Sequence, residues 1–110
     1  MELGKRQELF SRLIAELILH IYEVGFQVRC GDFQAFAVDK RHKVGSLHYV
    51  RCAADLNLFK DGKFLTTEAD HKPFAIYWEA MHPNCRNGWR YGDANHYELL
   101  AEPRAVGKEG

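Results

Sequence analysis

The chain has 110 residues, 46% hydrophobic and 27% charged, which is the size and composition of one globular domain with a modest core. Fifteen basic and fifteen acidic residues cancel, so no net positive field argues for nucleic acid or an anionic membrane as partner. Three cysteines (Cys30, Cys52 and Cys85) without a C-x-x-C spacing argue against both a disulfide framework and a zinc ribbon; they read as reduced thiols, with Cys52 in the core.

Phe10, Leu13, Ile14, Leu17, Ile18, Ile21 and Tyr22 recur in alternating steps of three and one, which is one face of an α-helix over residues 3–24, with Gly25 as its stop. Glu2, Glu8, Arg12 and Glu16 interrupt that run, and no small-residue cleavage site follows. The segment therefore reads as neither a bilayer span nor a signal peptide, and the chain as one made and kept in a cytoplasm. FQVRC (26–30) alternates like a short strand, and DFQAFAVDKRH (32–42) reads as a short helix with Asp32 as N-cap, followed by a loop over 42–46. LHYVRCAADLNLF (47–59) is the next strand, and FKDGKF (59–64) is a hairpin with Asp-Gly at its turn.

A second helix runs to about Met81. Thr66, Thr67 or Asp70 can cap it, and Pro73 favours the later start, because proline fits only a first turn. HPNCRNGWRYGDAN (82–95) reads as an irregular loop, HYELLA (96–101) as a final strand, and 102–110 as a polar tail. The expected architecture is a single α+β domain over 1–110, its core about 3–101, with a small antiparallel sheet flanked by helices.

Six histidines are many for this length. His20 falls within the first helix, His42 and His71 lie among charges, and His82 ends the second helix before Pro83. His48 and His96 differ, since each opens an apolar strand at the edge of a loop, where a rigid scaffold holds functional groups near solvent. Asp55 follows His48 on its strand, and Asp93 stands three residues before His96. Two imidazoles and one carboxylate make a tetrahedral zinc set with one position for water. Zinc brings the pKa of such a water to about 7 and polarises a carbonyl. A carboxylate off the metal can then take the water's proton and give it to the leaving amine. Asp93 and Glu98 both qualify, Glu98 because residues two apart on a strand share a face. Trp89 and Tyr91 are candidates for lining a groove, whereas Trp78 and Tyr97 read as core.

The stretch SLHYVRCAAD (46–55) resembles the S-x-H-x-x-G-x-A-x-D signature of the D-alanyl-D-alanine carboxypeptidase family of zinc peptidases, with Ser46, His48, Ala53 and Asp55 in register. DANHYE (93–98) resembles the family's second pattern, an acidic residue three places before a histidine. QVRCGDFQ (27–34) supplies an Arg and a Gln in the family's order. The resemblance spans about residues 25–101 and implies a Hedgehog/DD-peptidase-like fold. It implies His48, Asp55 and His96 as zinc ligands, Asp93 as general base, Arg29 as oxyanion donor, and Ser46 and Gln34 as substrate contacts. One departure is Arg51, which stands where the family has glycine.

Because the family includes phage endolysins, the resemblance also implies a monomeric enzyme that waits in a host bacterial cytoplasm. After release it would cut the L-alanyl-D-glutamate bond of peptidoglycan stem peptides. A D-alanyl-D-alanine carboxypeptidase and a non-catalytic zinc-binding domain of the same fold are the alternatives.

Overall fold

The computed structural model describes residues 1–31 and 52–104. The expected helix over 32–42 and the first residues of the expected strand at 47–51 lie outside them, as do Gln34, Ser46, His48 and Arg51. Helix α1 (Leu3–Glu23) buries Phe10, Leu13, Ile14, Leu17 and Ile21, most of the face that the three-and-one spacing marks out; Ile18 is partly buried and Tyr22, at the end of that face, is exposed. Past its end Gly25 takes φ 95°, a left-handed position that glycine occupies without a Cβ penalty. The chain then enters β1 (Gln27–Cys30). No described helix is long and apolar enough to cross a membrane.

Strand β2 (Ala53–Lys60) is the centre of an open antiparallel sheet ordered β1-β2-β5-β4, with β3 (Lys63–Leu65) also on β2. The turn between β2 and β3 is the expected Asp-Gly hairpin, Asp61 and Gly62 both having positive φ. Phe59 pairs at once with Gln27 of β1 and Phe64 of β3, so these strands occupy opposite edges of β2. β5 (Asp93–Leu99) shares the edge used by β3, pairing with Ala53, Ala54 and Asp55.

Helix α2 (Glu68–Met81) starts earlier than Pro73 suggests. Thr67 caps it through a reciprocal box: Asp70 N donates to Thr67 Oγ1 at 3.1 Å, and Thr67 N to Asp70 Oδ2 at 3.3 Å. The cap fixes the first turn ahead of Pro73, which lies inside the helix. With the earlier start, His71, Phe74, Ala75 and Trp78 form the buried stripe. His71 is thus buried and not among surface charges. The segment expected to be an irregular loop contains β4 (Cys85–Gly88) and a 3₁₀ turn (Trp89–Tyr91), and the last strand begins at Asp93 instead of His96.

The core lies between the two helices and one face of the sheet, where Leu56, Leu58, Tyr97 and Leu99 meet the apolar faces of α1 and α2. Trp78 joins the layers: its ring meets Phe10 of α1 and Tyr97 of β5 edge-on, each at 6.0 Å. Its indole N–H lies 3.2 Å from the carbonyl oxygens of both Arg86 and Glu98. Cys52 and Cys85 are buried and Cys30 is exposed, all three as free thiols. The opposite face of the sheet carries the polar residues of alternate positions, and there the candidate site stands.

Candidate functional site

Pairing of β2 with β5 sets Asp55 directly opposite His96. Directly opposed residues point to one face of a sheet, and His96 Nδ1 lies 3.3 Å from Asp55 Oδ1. Two residues further along β5, on the same face, Glu98 Oε1 lies 2.9 Å from His96 Nε2. The other oxygen of Glu98 accepts from Arg86 Nε of β4 and, at 3.2 Å, from the Tyr91 hydroxyl of the 3₁₀ turn. A charged chain therefore crosses the sheet from Arg86 through Glu98 and His96 to Asp55.

Its electrostatics follow from burial and pairing. Burial alone pushes the His96 pKa down, but hydrogen bonds and charges from Asp55 and Glu98 override it and raise it to about 9. For Glu98, burial works to raise the pKa, while His96 and Arg86 lower it on balance, so the carboxylate stays ionised. Glu98 is only 4% exposed with both oxygens engaged, which leaves it no free oxygen for an incoming water.

Two further candidates, Arg29 and Asp93, lie on β1 and β5. Arg29 sits opposite Asn57, two residues from Asp55 on β2 and so on the same face. It is exposed, with its guanidinium 4.0 Å over the Phe59 ring. Asp93 is exposed at the start of β5, opposite Gly88. Between the pairs Asn87↔Tyr97 and Gly88↔Asp93, β4 advances one residue and β5 four, so residues 94–96 bow away from β4 while His96 stays paired with β2. Asn87, fully buried, braces that bow by donating its side-chain amide to the Ala94 and His96 carbonyls at 2.8 and 3.1 Å. Gly88 permits the close approach: a Cβ there would lie 2.3 Å from the Asp93 carbonyl oxygen. Glu79 of α2 fixes the same corner, accepting from Asn87 N at 2.9 Å and pairing with Arg90.

Of the aromatic loop residues, Tyr91 has its ring 6.5 Å from that of His96, whereas Trp89 lines a separate hollow of about 310 Å³ beside Glu68 and Lys72. The role of Arg86 was not legible, because a single Arg inside an expected loop carries no spacing signal toward β5. Only the β4–β5 register sets it opposite Glu98.

Among the described residues no group of three or more His, Cys, Asp or Glu is arranged to hold a metal ion. Asp55 and His96 do fit two positions of a zinc site. Bonds of about 2.0–2.2 Å at tetrahedral angles put neighbouring donors about 3.3–3.5 Å apart, and these donors are 3.3 Å apart. Holding the far nitrogen of a ligating imidazole on a carboxylate, as Glu98 does here, is the usual support for such a ligand. Compared with models of known protein families, with curated proteins and with solved structures, the chain gives no match.

Proposed function

We propose that this chain is a zinc-dependent peptidase acting on the stem peptides of bacterial peptidoglycan, as an endolysin-type enzyme that cuts the L-alanyl-D-glutamate bond. The observation that carries the reading is the in-register pairing of Asp55 and His96 at 3.3 Å, with His96 Nε2 held by a buried Glu98. The resemblance of residues 46–55 and 93–98 to the D-alanyl-D-alanine carboxypeptidase family supplies the rest. In this reading His48, Asp55 and His96 hold the zinc, which when bound polarises the scissile carbonyl and acidifies a water.

The protein's own residues do the remainder. Asp93, exposed three residues before His96, takes the water's proton and delivers it to the leaving amine. Glu98, with both oxygens engaged, keeps His96 in one tautomer and orientation. Arg29 donates to the carbonyl oxygen as negative charge develops there. Ser46 and Gln34 are its substrate-binding partners. The enzyme works as a monomer, residing in the host bacterial cytoplasm until the wall becomes accessible.

The test is incubation of the purified protein with isolated peptidoglycan, with and without a chelator, with fragments identified by mass spectrometry. New L-alanine and D-glutamate termini that disappear on chelation are the expected result. Free D-alanine as the product would assign the protein to the carboxypeptidase branch. Zinc bound without any fragment would leave a zinc-binding domain and overturn the peptidase reading.

A further inference from the structure

Beside the Asp55–His96 pair the sheet has a gap. β3 meets β2 at residues 58–60 and β5 meets the same edge at 53–55. A cleft of about 230 Å³ lies where those two strands part. Asn57 and Asn95 line it, with Asn95 Nδ2 donating to Asn57 Oδ1 at 3.0 Å, and Phe64 and Leu65 contribute apolar surface. Asp93, the candidate base, lines the cleft too. The cleft is smaller than the about 300–1,000 Å³ of pockets that enclose whole small molecules, which suits a short stretch of extended chain.

His71 of α2 lines the cleft as well. It is 3% exposed, and its Nδ1 has no hydrogen-bond partner among the described residues. Burial lowers the pKa of this ring, and its backbone hydrogen bond with Leu65 works the other way, as a bond donated by the ring does. Nδ1 is thus a buried ring nitrogen without a partner among the described residues, and in a neutral imidazole such a nitrogen can accept a hydrogen bond. A buried acceptor left unpaired in a native protein calls for a partner.

Resting on the peptidase reading above, we infer that this cleft is a subsite for the peptide substrate, in which His71 Nδ1 accepts a substrate amide N–H. Phe64 and Leu65 receive a small aliphatic side chain of the same segment, and the substrate lies against Asp93 on its way to the Asp55–His96 pair.

The test uses a synthetic stem peptide containing the L-alanyl-D-glutamyl bond. Added to the Asp93→Asn protein, it should shift the backbone NMR signals of Leu65, Ala94 and Asn95. In the otherwise unchanged enzyme, His71→Phe should raise KM about five- to tenfold with kcat within about twofold, the loss expected for one neutral hydrogen bond. His71→Asn, whose carboxamide oxygen can stand near the position of Nδ1, should recover part of that loss. Hydrolysis with an unchanged KM in His71→Phe, or signal shifts confined to other surfaces, overturns the subsite and leaves the peptidase standing. Shifts at the cleft with no hydrolysis by the parent protein support the subsite and overturn the peptidase. If His71→Phe does not fold, the NMR map decides alone.

Discussion

Replacing Glu98 with alanine tests the site most directly, because this side chain touches three of its members. The substitution frees Nε2 of His96 and leaves the Arg86 guanidinium without its carboxylate. Loss of the group that orients a ligating imidazole costs about 10–100-fold in metal affinity, or about 1.4–2.8 kcal/mol. Removing one partner of a buried ion pair costs about 3–5 kcal/mol. Arg86 keeps 38% of its side chain in solvent, so the expected loss of metal-free stability is smaller, about 2 kcal/mol. Glu98→Gln separates the two effects. Its carboxamide oxygen still accepts from Nε2–H but offers Arg86 no charge, so it should retain most zinc affinity while losing stability. Zinc affinity is read by competition with a chromophoric chelator at fixed pH and ionic strength, and stability by urea unfolding of the metal-free protein. An alanine variant that binds zinc within about threefold of its parent would refute the view that Glu98 presents His96 to a metal.

Other outcomes follow from the same geometry. In the metal-free protein the His96 pKa is raised to about 9, above its unfolded value of about 6.5. Its contribution is therefore complete below about pH 6.5 and is lost as pH climbs through about 9. Glu98, with its pKa lowered, contributes above its unfolded value and loses that contribution in acid. Urea unfolding against pH should show both limbs, and zinc should flatten the alkaline one because it replaces the His96 proton; an alkaline limb unchanged by zinc would count against ligation by His96. Tyr97 is fully buried and its hydroxyl has no partner among the described residues, so Tyr97→Phe should stabilise the protein by about 1 kcal/mol in urea unfolding. A clear loss would mean that the hydroxyl is satisfied. Gly88→Ala drives a Cβ to 2.3 Å from the Asp93 carbonyl oxygen and should cost about 1–3 kcal/mol in the same assay while displacing Asp93 and lowering turnover. A variant of parental stability and activity would show that this corner yields freely.

Features governed by a few neighbouring residues were legible in the chain itself. The three-and-one spacing that made α1, the glycine that ended it and the Asp61-Gly62 turn each act within one turn of backbone, and the structure has them all. Trp78 and Tyr97 read as core from their large apolar rings, and both are fully buried. Asp55 and His96 were legible as candidates, but not the strand register that sets them opposite each other. What needed the tertiary structure were the choices between competing local signals and the contacts between distant ones. Thr67 and Pro73 gave opposite indications for the start of α2; the capping box prevailed, and with it His71 moved from the surface to a cleft wall. CRNG has no strand-like pattern, and it became β4 because β5 offered it an edge and Glu79 of α2 fixed Asn87. Glu98 was a rival base while only its distance from His96 along the chain was known. Arg86, twelve residues before it in sequence and opposite it in the sheet, occupies the oxygen that a base would need. Register across the sheet is a property of the whole core, and it is register that turned a row of separate polar residues into one connected site.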